Sequence, residues 1–138
     1  MAALSNYAEN ALLDYLFGKN DTDPLPHDDV YVALFTSDPG EDASGSEVSG
    51  TSYVRKAIQN QDGDNEWADA VAGVKKNSTA VTFPAAGGSW GTVTHVAIFS
   101  ALTGTSELLA YGPLTESKTV GTGDVFSFGV GDLQITLD

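Results

Sequence analysis

Residues 87–91, Gly-Gly-Ser-Trp-Gly, are the clearest candidate for catalytic chemistry in this chain. They match the Gly-x-Ser-x-Gly pattern of hydrolases, in which a strained turn between a strand and a helix exposes a nucleophilic serine. The residues that follow, 92–99, are β-branched, aromatic or small, and they are typical of a strand. Because the motif lacks the helix that it requires, we interpret Ser89 as part of a glycine-rich turn and Trp90 as an apolar anchor at the start of a strand.

The two histidines do not form a recognisable catalytic or metal site in the sequence. His27 and His95 are far apart along the chain, and His95 lies in the apolar strand segment, where a core or interface histidine is the usual explanation. An extended strand keeps Ser89 away from His95, although an arrangement that includes His27 stays open. The chain has no cysteine, which excludes disulfides and thiolate chemistry. We predict no catalytic residue, no cofactor and no metal centre.

Two other features suggest ligands. The segment from Asp62 to Glu66 places three carboxylates at alternate positions, which suits a hard cation such as calcium, but it does not match an EF-hand loop. A solvated acidic loop is the favoured interpretation. The chain also has Trp67 and Trp90, whose flat faces could contact sugar rings. Core packing explains these aromatic residues better, and a carbohydrate-binding module is kept as an alternative function.

The charge of the chain narrows its possible partners. Nineteen acidic and six basic side chains give a formal net charge of −13, which repels nucleic acid and favours a basic partner. No apolar run has the roughly 20 residues that a membrane span needs. The first residues lack the features of a secretory signal, so we expect synthesis in a cytosol.

The first regular element is a helix, predicted over residues 6–17. Its apolar residues recur at helical spacing, with Ser5 or Asn6 as the cap and Gly18 at the end: Leu4, Ala8, Ala11, Leu12, Tyr15 and Leu16. Asn6 and Glu9 also resemble a capping box. We expect the apolar stripe to be buried on a sheet or on another subunit.

The rest of the chain is predicted to be β-rich. Strand-like segments separated by turn residues occur at 30–36, 51–58, 79–83, 92–99, 107–111, 118–120, 125–128 and 133–137. About eight short strands at this spacing predict a mostly β, single-domain fold over residues 1–138, either a β-sandwich or a jelly-roll-like barrel, with one short N-terminal helix. The segment 30–36 is almost continuously apolar, so we expect it to be covered on both faces.

Several segments together resemble small virion proteins of tailed phages, of the tail fibre-like and capsid decoration type. The resemblance is carried by Leu4-Ser5-Asn6-Tyr7, Val30-Tyr31-Val32 with Asp38-Pro39, Val81-Thr82-Phe83-Pro84-Ala85-Ala86, Trp90-Gly91-Thr92-Val93-Thr94-His95, and Leu108-Leu109-Ala110-Tyr111-Gly112. It spans nearly the whole chain and implies a non-enzymatic part of a virion, assembled in the host cytoplasm.

From this resemblance and the small size of the chain we predict a capsid decoration, or cement, protein that stabilises the assembled shell. The alternative is a tail fibre or another tail-associated structural protein. The expected partners are other phage structural proteins, with the major capsid protein first among them, and further copies of the chain in a trimer. We predict that Leu12, Leu16, Tyr7 and Trp90 contribute to the partner interface, and that neither nucleic acid nor a membrane is a partner.

Overall fold

A computed structural model describes residues 3–17, 29–61, 64–105 and 107–137. One helix, α1, spans Asn6–Phe17. Nine strands follow: β1 Asp29–Phe35, β2 Lys56–Gln61, β3 Asp64–Asn65, β4 Val74–Lys76, β5 Val81–Thr82, β6 Gly91–Phe99, β7 Leu108–Val120, β8 Ser127–Phe128 and β9 Gln134–Thr136. The prediction of a mostly β fold with one short N-terminal helix is confirmed, and the strands form open sheets rather than a closed barrel. Within the described ranges, no helix is long and apolar enough to cross a membrane.

The helix begins and ends where the sequence predicts. Ser5 is the cap, because its Oγ accepts a hydrogen bond from the Ala8 N–H at 3.3 Å and its carbonyl accepts one from the Glu9 N–H at 2.9 Å. The predicted capping box of Asn6 and Glu9 is therefore wrong. With Ser5 in the cap position, the third helical residue is Ala8, and Glu9 belongs to the buried side of the helix.

The chain divides into two compact units and passes between them four times. The first unit contains residues 1–29, 58–81 and 128–138, and the second contains residues 30–57 and 82–127. The number of independent domains stays a prediction.

The second unit contains the neighbouring strands β1, β6 and β7, with β6 between the other two. Strands β1 and β6 are antiparallel, with Ala33 opposite Ala97 and Phe35 opposite His95. The strand β1 is fully buried from Val32 onward, which confirms that its apolar run is covered on both faces. The core of this sheet consists of Ala33, Phe35, Ala43, Ala97 and Phe99.

Two predicted strands, 107–111 and 118–120, form one long strand. In β7, Pro113 pairs with His95 and Lys118 pairs with Val93, so residues 114–117 bulge opposite the single residue Thr94. The sequence suggests two strands because proline and polar residues interrupt the apolar pattern. A bulge absorbs these residues without ending the pairing.

Arg55 is the polar centre of the second unit. The residue is only 6% exposed, and its guanidinium forms two hydrogen bonds with the Glu47 carboxylate, at 2.8 and 2.9 Å. It also donates to the carbonyls of Ala101 and Gly104, at 2.9 and 2.7 Å, and lies 3.8 Å from the centre of the Phe99 ring. These hydrogen bonds replace those that the guanidinium would make with water. Because Arg55 comes directly before β2, they also connect the loop after β6 to this part of the chain.

Tyr53 extends this network to the aromatic side of the second unit. Its hydroxyl donates to Glu47 Oε2 at 2.7 Å and accepts a hydrogen bond from the Leu34 N–H at 3.0 Å. Its ring stacks on Phe83 and meets Trp90 edge-on, with centroid distances of 6.3 and 5.4 Å. Burial, followed by the hydrogen bond to Glu47, raises the pKa of Tyr53 well above its usual value.

The first unit contains the two-stranded sheet of β4 and β9 and the pairing of β3 with the end of β2. Asn77, which is 1% exposed, follows β4. Its side-chain amide donates to the carbonyls of Thr79 and Gly129, at 2.9 and 3.0 Å, and its side-chain oxygen accepts from the Leu133 N–H at 3.0 Å. Its main chain also pairs with Leu133 and Gly131. One buried side chain thus holds two separate turns of this unit together.

The pH dependence of stability should identify the role of Tyr53. Because its pKa is raised in the folded state, the phenol stabilises the fold fully below the unfolded-state pKa of about 10, and this contribution is lost as the pH rises above that value. We expect Tyr53→Phe to lower the free energy of unfolding by about 2 kcal/mol at pH 7, and this difference to shrink above pH 10. Tyr7→Phe, at an exposed tyrosine, is the control. Urea unfolding across the pH range measures both, and a difference that does not shrink would contradict the assignment.

Asn77→Ala should destabilise the chain by about 3 kcal/mol, because two part-buried carbonyls and the buried Leu133 N–H lose their partners together. The exposed Asn6, changed to Ala, removes the same chemical group without these contacts and should alter stability by less than about 0.5 kcal/mol. Thermal and urea unfolding of the two variants provide the comparison. Equal effects would show that the network around Asn77 contributes nothing.

Candidate functional site

Ser89 is part of a turn and not of a nucleophile elbow. Its Oγ accepts a hydrogen bond from the Gly91 N–H at 3.3 Å, and Gly91, with a φ of 80°, begins the strand β6. A strand follows the motif where a hydrolase would have a helix, as the sequence predicts. The imidazole Nδ1 of His95 lies 2.8 Å from Thr94 Oγ1, so its hydrogen bond is with its own neighbour in β6.

The other candidate ligands are only partly described. His27, Asp62 and Gly63 lie outside the described residues, as do the side chains of Asp64 and Asn65. The interpretation of the acidic segment as a solvated loop, with calcium binding as its alternative, therefore stays a prediction. Elsewhere, in the part of the chain that the structure describes, no group of three or more histidine, aspartate or glutamate residues could hold a metal ion.

Both tryptophans are interior residues. Trp67 is 2% exposed and packs against Phe17, with ring centroids 5.5 Å apart. Trp90 is 4% exposed, and its Nε1 donates to the carbonyl of Thr51 at 3.0 Å. A buried ring has no face to offer a sugar or a protein partner. This corrects the assignment of Trp90 to a contact surface, and the interpretation of Trp90 as an anchor is the one that its packing supports.

Exposed apolar side chains are concentrated on one side of the N-terminal helix. We call the following residues the apolar face of α1: Leu4, which precedes the helix, and Tyr7, Leu12, Tyr15 and Leu16. Tyr7 is 84% exposed, Tyr15 56% and Leu12 49%. Leu12, Tyr15 and Leu16 lie three or four residues apart, and the exposed Ala11 lies four residues from both Tyr7 and Tyr15, so these residues form one continuous stripe. Three of the four residues predicted for a partner interface therefore lie together in one exposed stripe.

The opposite side of α1 is polar as well as buried. Asp14 Oδ1 accepts hydrogen bonds from the Ala70 N–H and from Lys75 Nζ, each at 2.8 Å. The Lys75 side chain is fully buried and that of Asp14 is 15% exposed. A buried ammonium is costly unless it is paired, so this contact sets which side of the helix must face the protein.

A second contact lies about one turn earlier in the helix. Asn10 Oδ1 accepts a hydrogen bond from the Gly73 N–H at 2.7 Å. Gly73 has a φ of 74°, and a Cβ at this position would lie 2.6 Å from Glu9 Oε2 and 2.8 Å from the Leu137 carbonyl. Only glycine allows the turn before β4 to approach the helix this closely. Glu9, Leu13 and Phe17 complete the buried side.

The buried side of α1 is therefore partly polar, unlike that of an ordinary amphipathic helix. Its charged residues, Glu9 and Asp14, face the first unit, and most of its apolar residues face outward. Sequence reasoning found the stripe but missed the residue that orients it, because Lys75 in the run Lys75-Lys76 looks like a surface lysine. The short strand β4, which carries Lys75, was not predicted either.

The contribution of the buried pair can be measured with single and double variants. Asp14→Leu should cost about 3 kcal/mol or more in the free energy of unfolding, because Lys75 loses its carboxylate partner while it remains buried. The double variant Asp14→Leu/Lys75→Met should recover part of that loss, but not all, since the Ala70 N–H still lacks its acceptor. Urea unfolding tests this. A double variant that is no more stable than the single one would contradict an orienting role for the pair.

Comparison with known proteins identifies the family to which this chain belongs. A family model described as Podophage GP4 fiber I protein gp80 matches residues 3–136, which is nearly the whole chain. No curated protein matches the chain significantly. The match confirms the resemblance to small, tail fibre-like structural proteins of phage virions. The chain therefore belongs to the family of podophage fibre proteins described as Podophage GP4 fiber I protein gp80, and it is a structural component of the virion.

Proposed function

We propose that this chain is a structural subunit of the tail fibre of a podophage, and that it acts by binding other virion proteins and not by catalysis. The observation that carries the proposal is the family match over residues 3–136. It supports the tail fibre alternative better than the capsid decoration interpretation. The environment of Ser89, whose hydroxyl bonds to the main chain of its own turn, agrees with a role without catalysis.

The small size of the chain favours a capsid decoration protein. A chain of 138 residues without a fibrous repeat is short for a complete fibre. This difficulty disappears if several copies or several different short chains build the fibre together. Three copies are the stoichiometry that we propose, since closed symmetric assemblies are the common form of homo-oligomers.

The charge of the chain supports contact with a basic neighbour in the virion. Two of its six basic residues, Arg55 and Lys75, are buried in ion pairs with Glu47 and Asp14. Each pair is neutral, so the whole net charge of −13 belongs to the remaining residues. A field of this sign attracts basic protein surfaces and repels nucleic acid.

Localisation of the chain in intact particles tests the proposal. We expect Fab fragments raised against the purified chain to label the tail in cryo-electron microscopy of virions. Tailless capsids from the same host should carry no label and no detectable chain by mass spectrometry. Labelling that repeats over the capsid shell, together with retention of the chain in tailless capsids, would support the decoration function instead.

A further inference from the structure

We propose that the apolar face of α1 is the surface through which copies of this chain bind one another. The inference rests on the proposed function only in that a fibre subunit must make contacts with other subunits. It specifies the residues, Leu4, Tyr7, Leu12, Tyr15 and Leu16, and the partner, which is the same face of a second copy.

The charge distribution of the chain favours a second copy as the partner of this face. A chain with a net charge of −13 repels its own copies over most of its surface. Among residues 3–17, only Glu9 and Asp14 are charged, and Glu9 is buried while Asp14 bonds to Lys75 and Ala70. The apolar face of α1 therefore carries no charge. Two copies can approach there without bringing carboxylates together, whereas a basic partner would gain nothing from a face without charge.

The polar contacts on the inner side of α1 provide the second argument. Asp14 bonds to Ala70 and Lys75, and Asn10 bonds to Gly73. To turn the apolar face inward, the helix would have to break all of these contacts and leave Lys75 buried without its carboxylate. The helix is held with its apolar face outward, and so the face is available before a second copy arrives.

The size of the face predicts the strength of the contact. If a fully exposed Tyr or Leu side chain presents roughly 200 Å², the exposed fractions of the five residues amount to on the order of 500 Å² per copy. A standard interface buries about 800 Å² per partner. Association of the isolated chain should therefore be reversible and dependent on concentration, and it should become complete where copies are held together in the particle.

Analytical ultracentrifugation of the purified full chain tests this inference. We expect the wild-type chain to self-associate in the micromolar to millimolar range. Leu12→Glu should weaken the association by about tenfold or more, because it introduces a charge into an apolar contact. Val125→Glu, at an exposed valine outside α1, adds the same charge and should associate as the wild type does. Thermal unfolding of both variants verifies that they fold.

Salt provides an independent measurement. Screening of the carboxylates should strengthen an apolar contact between two acidic chains, so the dissociation constant should fall as the salt concentration rises. A wild-type chain that stays monomeric at millimolar concentration, or a Leu12→Glu chain that associates like the wild type, would overturn the inference. Either outcome would show that something other than a second copy covers this face. The assignment to the tail fibre would be unaffected, because it depends on where the chain lies in the virion.

Discussion

The ion pair between Lys75 and Asp14 is the contact on which the orientation of the N-terminal helix depends. Lys75 is fully buried, and its Nζ lies 2.8 Å from Asp14 Oδ1. A buried pair of this kind adds less to stability than its Coulomb energy suggests, because both groups lose water. Its effect is on specificity. Any arrangement that separates the two groups leaves an uncompensated charge in the protein, so the helix packs with one side only.

The second unit has the same kind of organisation around a different cation. Arg55 uses its planar donors for Glu47 and for two carbonyls in the loop after β6, while its flat side lies against Phe99. Tyr53 shares the same carboxylate. Among the described residues, each unit therefore holds one buried basic residue that is paired with a carboxylate. The acidic charge that remains is left to the rest of the chain, where water solvates it.

A protein of this type exerts its function through surfaces, and the apolar face of α1 is an uncharged surface on a strongly acidic chain. The family membership and the position of this face answer different questions about the protein. The family states what kind of particle contains the chain. The helix shows where one of its contacts can form, and the physical reason is that apolar side chains in water gain most by meeting other apolar side chains.

The sequence by itself determined the mostly β fold, the bounds of α1, the burial of β1 and the absence of a helix after the Gly-x-Ser-x-Gly motif. These properties follow from the periodicity of apolar residues and from helix capping, which depend only on residues close together in the sequence. Only the tertiary structure decided that Lys75 is buried, that one strand continues past Pro113, and that Asn10 and Asp14 lie on the inner side of α1. Each of these depends on contacts between residues far apart in the chain, and local pattern carries no information about such contacts.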